Sequence, residues 1–275
     1  MALHGAAREG PTVAHIHIRN PQPVAIITGS TSGIGRASAA ALGRRGFALM
    51  LHGLDEESSI EAQSVVAECT TLGVPVAYVQ ADLRDASAAA TTIVSRASAL
   101  WGRIDVVVNN AAMVLNADLE TLTENQWDDL LAVNLKAPFF LVQAALDLLE
   151  ASNGSIIMIS STNALVANRR NLIYDTTKAA LNHASLNLAL ELRDRGIRVN
   201  TLMPGGTRTP NLVRWATEYA GGDTEGWAIV EAAAARGSLA SPEDIAAAVA
   251  VLAVNEVPWM TGATIAVDGG YRLGP

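Results

Sequence analysis

The chain has 275 residues, is 50% hydrophobic and only 17% charged, and carries 27 acidic against 19 basic side chains for a net charge of −8. That composition supports a packed core and excludes general disorder. The acidic balance disfavours a nucleic-acid or anionic-membrane surface as the main partner. The single cysteine, Cys69, cannot form an intrachain disulfide or a paired-cysteine metal site, and the five histidines make no zinc-binding pattern. No continuous apolar segment opens the chain, and the longest uncharged apolar run, 245–254, falls far short of a membrane span. A soluble, cytoplasmic protein with no resident metal and a small-molecule partner is expected.

In chain order, residues 1–22 read as an N-terminal extension, and a single domain is expected over 23–275. β-branched runs at 24–28, 48–52, 76–80, 105–110, 155–160, 197–203 and 264–269 alternate with helical patterns at 34–45, 56–72, 86–101, 123–150, 173–195 and 241–254. Most of the runs are continuously apolar, as strands buried on both faces of a parallel sheet require. The alternation predicts an α/β fold with a doubly wound, seven-stranded parallel sheet and helices on both faces. Ser241, Pro242, Glu243 and Asp244 read as a helix start. Residues 204–240 carry no clear pattern and are expected to be an irregular segment covering a ligand site.

The stretch "VAIITGSTSGIGRASAAAL" passes from the first strand into the first helix. Gly29, Gly33 and Gly35 let the backbone turn tightly and approach a pyrophosphate, and the helix N-terminus offers free N–H groups and a positive dipole end. The spacing differs from G-x-G-x-x-G, and a Walker-type loop is excluded by the missing Gly-Lys-Ser/Thr. Further along, Tyr174 and Lys178 stand one helical turn apart in "NLIYDTTKAALNHASL". Alone, that pair is ordinary decoration on a helix.

The loop "TGSTSGIG" resembles the cofactor loop of the short-chain dehydrogenase/reductase family, and other segments fall where that family places its motifs. Asp82 and Leu83 follow the third strand, "NNAA" at 109–112 follows the fourth, "MPGGTRT" at 203–209 follows the sixth, and "MTGATIAVDGGY" ends the match. The resemblance spans roughly residues 23–272 and implies a Rossmann fold. It implies a cofactor site of Gly29, Ser32, Gly33, Ile34, Gly35, Gly53, Asp82, Leu83, Asn110, Ala111, Ala112, Pro204, Gly205, Thr207 and Thr209, together with Tyr174 and Lys178. It further implies a catalytic group of Asn134, Ser161, Tyr174 and Lys178. Ser161 is preferred over Ser160 on spacing. Ala112 stands where the family usually has glycine, and "RRNLI" at 169–173 is bulkier and more basic than usual there.

A tyrosine needs help to act as a base near neutrality, because its ordinary pKa is about 10. A nearby ammonium and a positively charged nicotinamide both favour the phenolate. Lys178 is therefore expected to lower the pKa of Tyr174 and, by resemblance, to hold the nicotinamide ribose. Ser161 would fix the substrate oxygen, and Asn134 would anchor a water linking Lys178 to solvent. Gly53 takes the position that normally reads the adenine ribose, with Asp55 and Glu56 just beyond it and no Lys or Arg nearby. NAD is favoured over NADP, with His52 the remaining candidate partner for a 2′-phosphate.

Arg169, Arg170 and Arg208 are candidates to grip an anionic substrate, or else pair with acids or face water. The resulting reading is an NAD(P)-dependent oxidoreductase of secondary alcohols and ketones, with a 3-oxoacyl or hydroxy-acid type substrate. The alternative is a catalytically idle dinucleotide-binding sensor or scaffold. By resemblance, the protein is expected to be a homotetramer or dimer.

Overall fold

A computed structural model describes residues 22–220, 223–235 and 239–273. The expected N-terminal extension therefore lies, apart from Gln22, outside the described residues. The apolar runs form β1 (Val24–Ile27), β2 (Ala48–Gly53), β3 (Val76–Gln80), β4 (Val106–Asn109), β5 (Ser155–Ile159), β6 (Arg198–Pro204) and β7 (Thr264–Val267). They make one sheet in the order β3-β2-β1-β4-β5-β6-β7, with every pairing parallel. The order reverses direction between β1 and β4, and a crevice opens there at the C-terminal ends of the strands.

The helices are α1 (Gly33–Arg44), α2 (Ile60–Thr70), α3 (Ala86–Trp101), α4 (Glu124–Leu131), α5 (Ala137–Ser152), α6 (Leu172–Leu192), α7 (Pro210–Ala220), α8 (Asp223–Ala235) and α9 (Pro242–Ala253). Alternate strand residues point to opposite faces, which makes two cores. Ile26, Met50, Val107, Ile156 and Val199 pack with α3, α5 and α6, whereas Ala25, Leu49, Val108, Ile157 and Leu202 pack with α1, α2 and α9. Each fully buried aliphatic side chain of this kind contributes about 1.5–3 kcal/mol relative to exposure.

Two segments differ from the sequence reading. The expected single helix over 123–150 is α4 and α5 joined by a π turn, Ala132–Lys136. Pro138 explains the break. It has no N–H for the carbonyl of Asn134 four residues earlier, and its ring crowds that carbonyl. On length and composition this helical rod, 124–152, is apolar enough to cross a bilayer, but Leu141, Val142, Ala145 and Leu149 are buried in one of the sheet's two cores. The second difference is 204–240, expected to be irregular, which contains α7 and α8 packed on each other. Thr209 accepts a hydrogen bond from the Leu212 N–H at 3.2 Å ahead of Pro210, a helix start of the usual kind.

Candidate active site

The loop from β1 to α1 is held by close backbone packing. Gly29 and Gly33 have φ of 63° and 52°, the left-handed region that favours glycine. A Cβ on Gly29 would lie 2.9 Å from the Cα of Ala111, and one on Gly35 would overlap the Gly29 carbonyl. The Asn110 amide ties the turn down by donating to the carbonyls of Thr28 at 2.9 Å and Gly29 at 3.1 Å. The hydroxyl of Thr28 accepts from the N–H groups of Asn110 and Ala111 at 2.9 and 3.0 Å. Thus the "NNAA" segment is a brace for the glycine loop.

The first turn of α1 suits an anion. Ser32 makes no side-chain capping bond and no acid occupies that turn, so the leading N–H groups and the positive dipole end stay open. The γ-methyl of Thr209 lies 3.1 Å from where a Cβ on Gly33 would sit, so the residue preceding α7 reaches this loop. Gly205 is packed so closely on Asp268 that a Cβ would fall 2.8 Å from the Asp268 Cβ. Thr207 is buried and donates to the Gly205 carbonyl at 3.1 Å.

At the end of β2, Gly53 is dictated by its neighbours. A Cβ there would overlap the Tyr78 hydroxyl and come within 2.9 Å of Thr31 Cγ2. That hydroxyl donates to the Asp55 carbonyl at 2.8 Å. Burial pushes the Tyr78 phenol up to about 12. Both carboxylate oxygens of Asp82 accept from Arg84, at 2.6–3.1 Å. This pairing, more than any other contact, holds the Asp82 carboxyl below its usual range. Leu83 is buried beneath it.

His52 departs from expectation. Its ring is buried, with Nδ1 accepting the Gly29 N–H at 3.3 Å and Nε2 lying 3.1 Å from the Ala81 carbonyl. Burial lowers its pKa to about 4, so near neutrality it is an uncharged strut between the glycine loop and the β3–α3 turn. It is not a partner for a 2′-phosphate.

β5 leads into Ser161, and the first turns of α6 carry Tyr174 and Lys178. The Ser160 hydroxyl turns away and donates to the Lys178 carbonyl at 3.2 Å. The Ser161 side chain acts on the Tyr174 phenol to favour its ionised form. Lys178 is buried and donates to the Ile159 carbonyl at 2.9 Å, with Nζ 5.7 Å from the Tyr174 ring centre.

Without cofactor, burial dominates both groups. It pushes Tyr174 up to about 12, against the influence of Ser161 and with help from the charge of Asp175. It also lowers Lys178 to about 8. The expected lowering of Tyr174 by Lys178 is therefore absent: loss of solvent raises the phenol, and the influence opposing it comes from Ser161.

Asn134 sits in the π turn, 1% exposed, and its side chain is fully engaged. Its Oδ1 accepts the Met113 N–H at 2.8 Å, while Nδ2 donates to the Met113 carbonyl at 2.9 Å and to Thr177 at 3.2 Å. Its main-chain carbonyl cannot receive the α-helical bond from residue 138, because Pro138 has no N–H.

The candidate substrate arginines are dispersed. Arg208 pairs with Glu231 of α8. Arg170, at φ 63°, has Nε 3.5 Å from Asp118, and Arg169 is exposed. Residues the sequence reading passed over include Thr28, Thr177 and Asp175. The carboxylate of Asp175 holds Asn163 and the Asn168 backbone, each at 2.9 Å. Among the described residues, no cluster of three or more His, Cys, Asp or Glu could hold a metal ion.

The donor set fits a dinucleotide. An uncapped helix start meets glycines that tolerate no side chain, and a buried ammonium has a single hydrogen-bond acceptor among the described residues. The fold and this cradle define a dinucleotide-binding α/β protein. A family model described as "Enoyl-(Acyl carrier protein) reductase" matches residues 29–272.

The chain is 33% identical to 2,5-dichloro-2,5-cyclohexadiene-1,4-diol dehydrogenase of Sphingobium indicum, over 91% of this chain and 96% of that protein. It is also 33% identical to 3beta-hydroxysteroid dehydrogenase 1 of Eggerthella lenta, over 91% and 94%. The crystal structure of acetoin dehydrogenase from Salmonella typhimurium aligns with TM-score 0.77 and 27% identity, covering 92% of this chain and 98% of that one. The chain belongs to the short-chain dehydrogenase/reductase family, whose members use NAD or NADP, and is an oxidoreductase acting on CH–OH groups.

Proposed function

We propose that the protein is an NAD-dependent dehydrogenase of a neutral secondary alcohol with an apolar, ring-bearing carbon frame. The observation that carries this reading is the convergence of Ser161, Tyr174 and buried Lys178 at the end of β5, beside the glycine loop. Bound nicotinamide supplies the hydride exchange at the carbinol carbon. Tyr174 takes the hydroxyl proton in oxidation and returns it in reduction. Ser161 hydrogen-bonds the same oxygen and stabilises charge developing there. The remaining N–H groups of Lys178 serve the nicotinamide ribose hydroxyls. The carbonyl of Asn134, without an α-helical donor, accepts from a water that relays protons to Lys178.

NAD is favoured because no cation is free where a 2′-phosphate would lie. Residues 54–59 contain none, and Arg36 in the first turn of α1 is held by Glu68 at 2.7 Å and Ser64 at 2.9 Å. A neutral substrate is favoured because Arg208 and Arg170 already face acids. Leu165, in the loop from Ser161 to Tyr174, and Trp227 of α8 are exposed, and the cyclic diol and steroid named for the two relatives suit apolar contacts of this kind.

Residues 23–275 act as one domain, with α7 and α8 covering the substrate. A second copy covers Trp259 and Leu273, which are 98% and 79% exposed near edge strand β7, and the full assembly is a homotetramer. The test is a panel of cyclic, linear and carboxylated secondary alcohols and their ketones with each cofactor, read by nicotinamide absorbance. NAD-linked oxidation of the neutral cyclic members is expected. A strong NADP preference or selectivity for carboxylates would overturn the reading.

A further inference from the structure

The segment between Ser161 and Tyr174 is built as a clamped loop. Ser161 Oγ accepts the Asn163 N–H at 3.1 Å, opening a short 3-10 turn, Thr162–Ala164. At the far end, Arg170 adopts the left-handed region and its carbonyl accepts the Ala117 N–H at 2.9 Å. Between these ends, Leu165 is 57% and Val166 39% exposed. Two bare aliphatic side chains in the loop that joins Ser161 to Tyr174 offer a contact surface, provided that the backbone beneath them stays in place.

What keeps it in place is one carboxylate. Asp175 Oδ1 accepts Asn163 Nδ2 at 2.9 Å, while Oδ2 accepts the Asn168 N–H at 2.9 Å and Asn168 Nδ2 at 3.3 Å. Bonds to an ionised acceptor are the stronger kind, and these flank Leu165 and Val166 on both sides. Asp175 directly follows Tyr174 on α6. The group that sets the loop is thereby rigidly tied to the proposed proton carrier.

We propose that Asp175 is a positioning residue: its carboxylate clamps the 162–171 loop against α6, holding Leu165 and Val166 as an apolar shelf for the carbon frame of the alcohol. This rests on the reading of Ser161 and Tyr174 as the reaction centre. The shelf accounts for affinity toward bulky alicyclic alcohols and contributes nothing to very small ones. The clamp is a geometric device, and a neutral acceptor of the same shape can partly replace it. In Asp175→Asn, an oxygen remains for the Asn168 N–H, and Asn163 can turn its amide over to present an oxygen to the new NH2.

The experiment compares wild type, Asp175→Ala and Asp175→Asn with NAD, using cyclohexanol and 2-propanol as probes, alongside hydrogen exchange of the cofactor-bound proteins. Asp175→Ala should raise KM for cyclohexanol about tenfold and hold KM for 2-propanol, because uniform binding of the ring is lost, while any change in kcat from removing the charge beside Tyr174 is shared by both alcohols. Exchange should accelerate in 162–171 and stay unchanged across the sheet. Asp175→Asn should recover most of the KM and the protection. Unchanged exchange in 162–171, or an equal rise in KM for both alcohols, overturns the proposal. Failure of the wild type to oxidise any alcohol overturns the reaction-centre reading instead, while the exchange result still decides the clamp.

Discussion

The ammonium of Lys178 donates to the carbonyl of Ile159 at 2.9 Å, and among the described residues that carbonyl is its one hydrogen-bond acceptor. A cation so placed is under-solvated in the apoprotein, and burial accordingly lowers its pKa to about 8. The two remaining donors are what a pair of ribose hydroxyls would satisfy. The arrangement holds binding capacity at the expense of stability.

Lys178→Met should therefore be more stable than wild type at neutral pH and unable to turn over substrate. The folded pKa lies below the ordinary 10.5, so the folded state binds the proton more weakly. Stability falls as pH drops through that window, and near pH 7 the cost is about 3 kcal/mol. Thermal melts without cofactor measure the gain. A variant that melts well below wild type contradicts this account of the buried charge.

His52 gives a separate acid signature. Its folded pKa of about 4 lies below the ordinary 6.5, so the unfolded chain takes up a proton the folded one refuses. Stability should decline as pH falls from about 6.5 toward about 4 and level off below, a loss of up to about 3 kcal/mol. Denaturant titrations at a series of pH values should show a shallower acid decline in His52→Gln. Parallel curves for the two proteins would remove His52 from the explanation.

Gly53 tests the adenosine end. Gly53→Ala forces a methyl into the Tyr78 hydroxyl and near Thr31 Cγ2, and such overpacking costs about 1–3 kcal/mol. Tyr78→Phe frees part of the space, so the double variant should be more stable than the sum of the single changes predicts. Strict additivity in denaturant unfolding would show that the two residues do not meet.

The proposed proton transfer has its own pH dependence. Tyr174 is pushed up to about 12 without cofactor, and positive charge on oxidised nicotinamide must bring it down for catalysis. Alcohol oxidation should rise with pH from about 7 to about 10, and ketone reduction should fall over the same range. Initial rates in both directions check this, and two flat profiles would contradict it.

Much of the fold is legible because buried parallel strands leave continuous apolar runs, and all seven appear within a residue or two of where those runs lie. Asp85 and Ser241 likewise cap helices as their residue types suggest, by accepting the N–H groups of Ala88 and Asp244. Two departures have local causes. The break at Asn134 was written in Pro138, but the apolar periodicity on either side masks a single π turn. The pair α7 and α8 hides in a segment whose buried contacts, through Ala216 and Val230, are sparse.

At the site, residue types disclose the glycine loop and the Tyr174–Lys178 pair. They do not disclose that burial raises Tyr174 and lowers Lys178, or that His52 faces inward. Those outcomes depend on side-chain direction and solvent exclusion, which spacing does not encode. Asp175 went unread because its partners, Asn163 and Asn168, meet it only after the loop folds back.

The central claim is that Tyr174 carries the substrate proton. Steady-state turnover of Tyr174→Phe, measured beside NADH binding by fluorescence, tests it most directly. The account predicts a fall in kcat of about 10²–10⁴-fold with cofactor affinity retained. Wild-type turnover in this variant, with the cofactor bound normally, would contradict it.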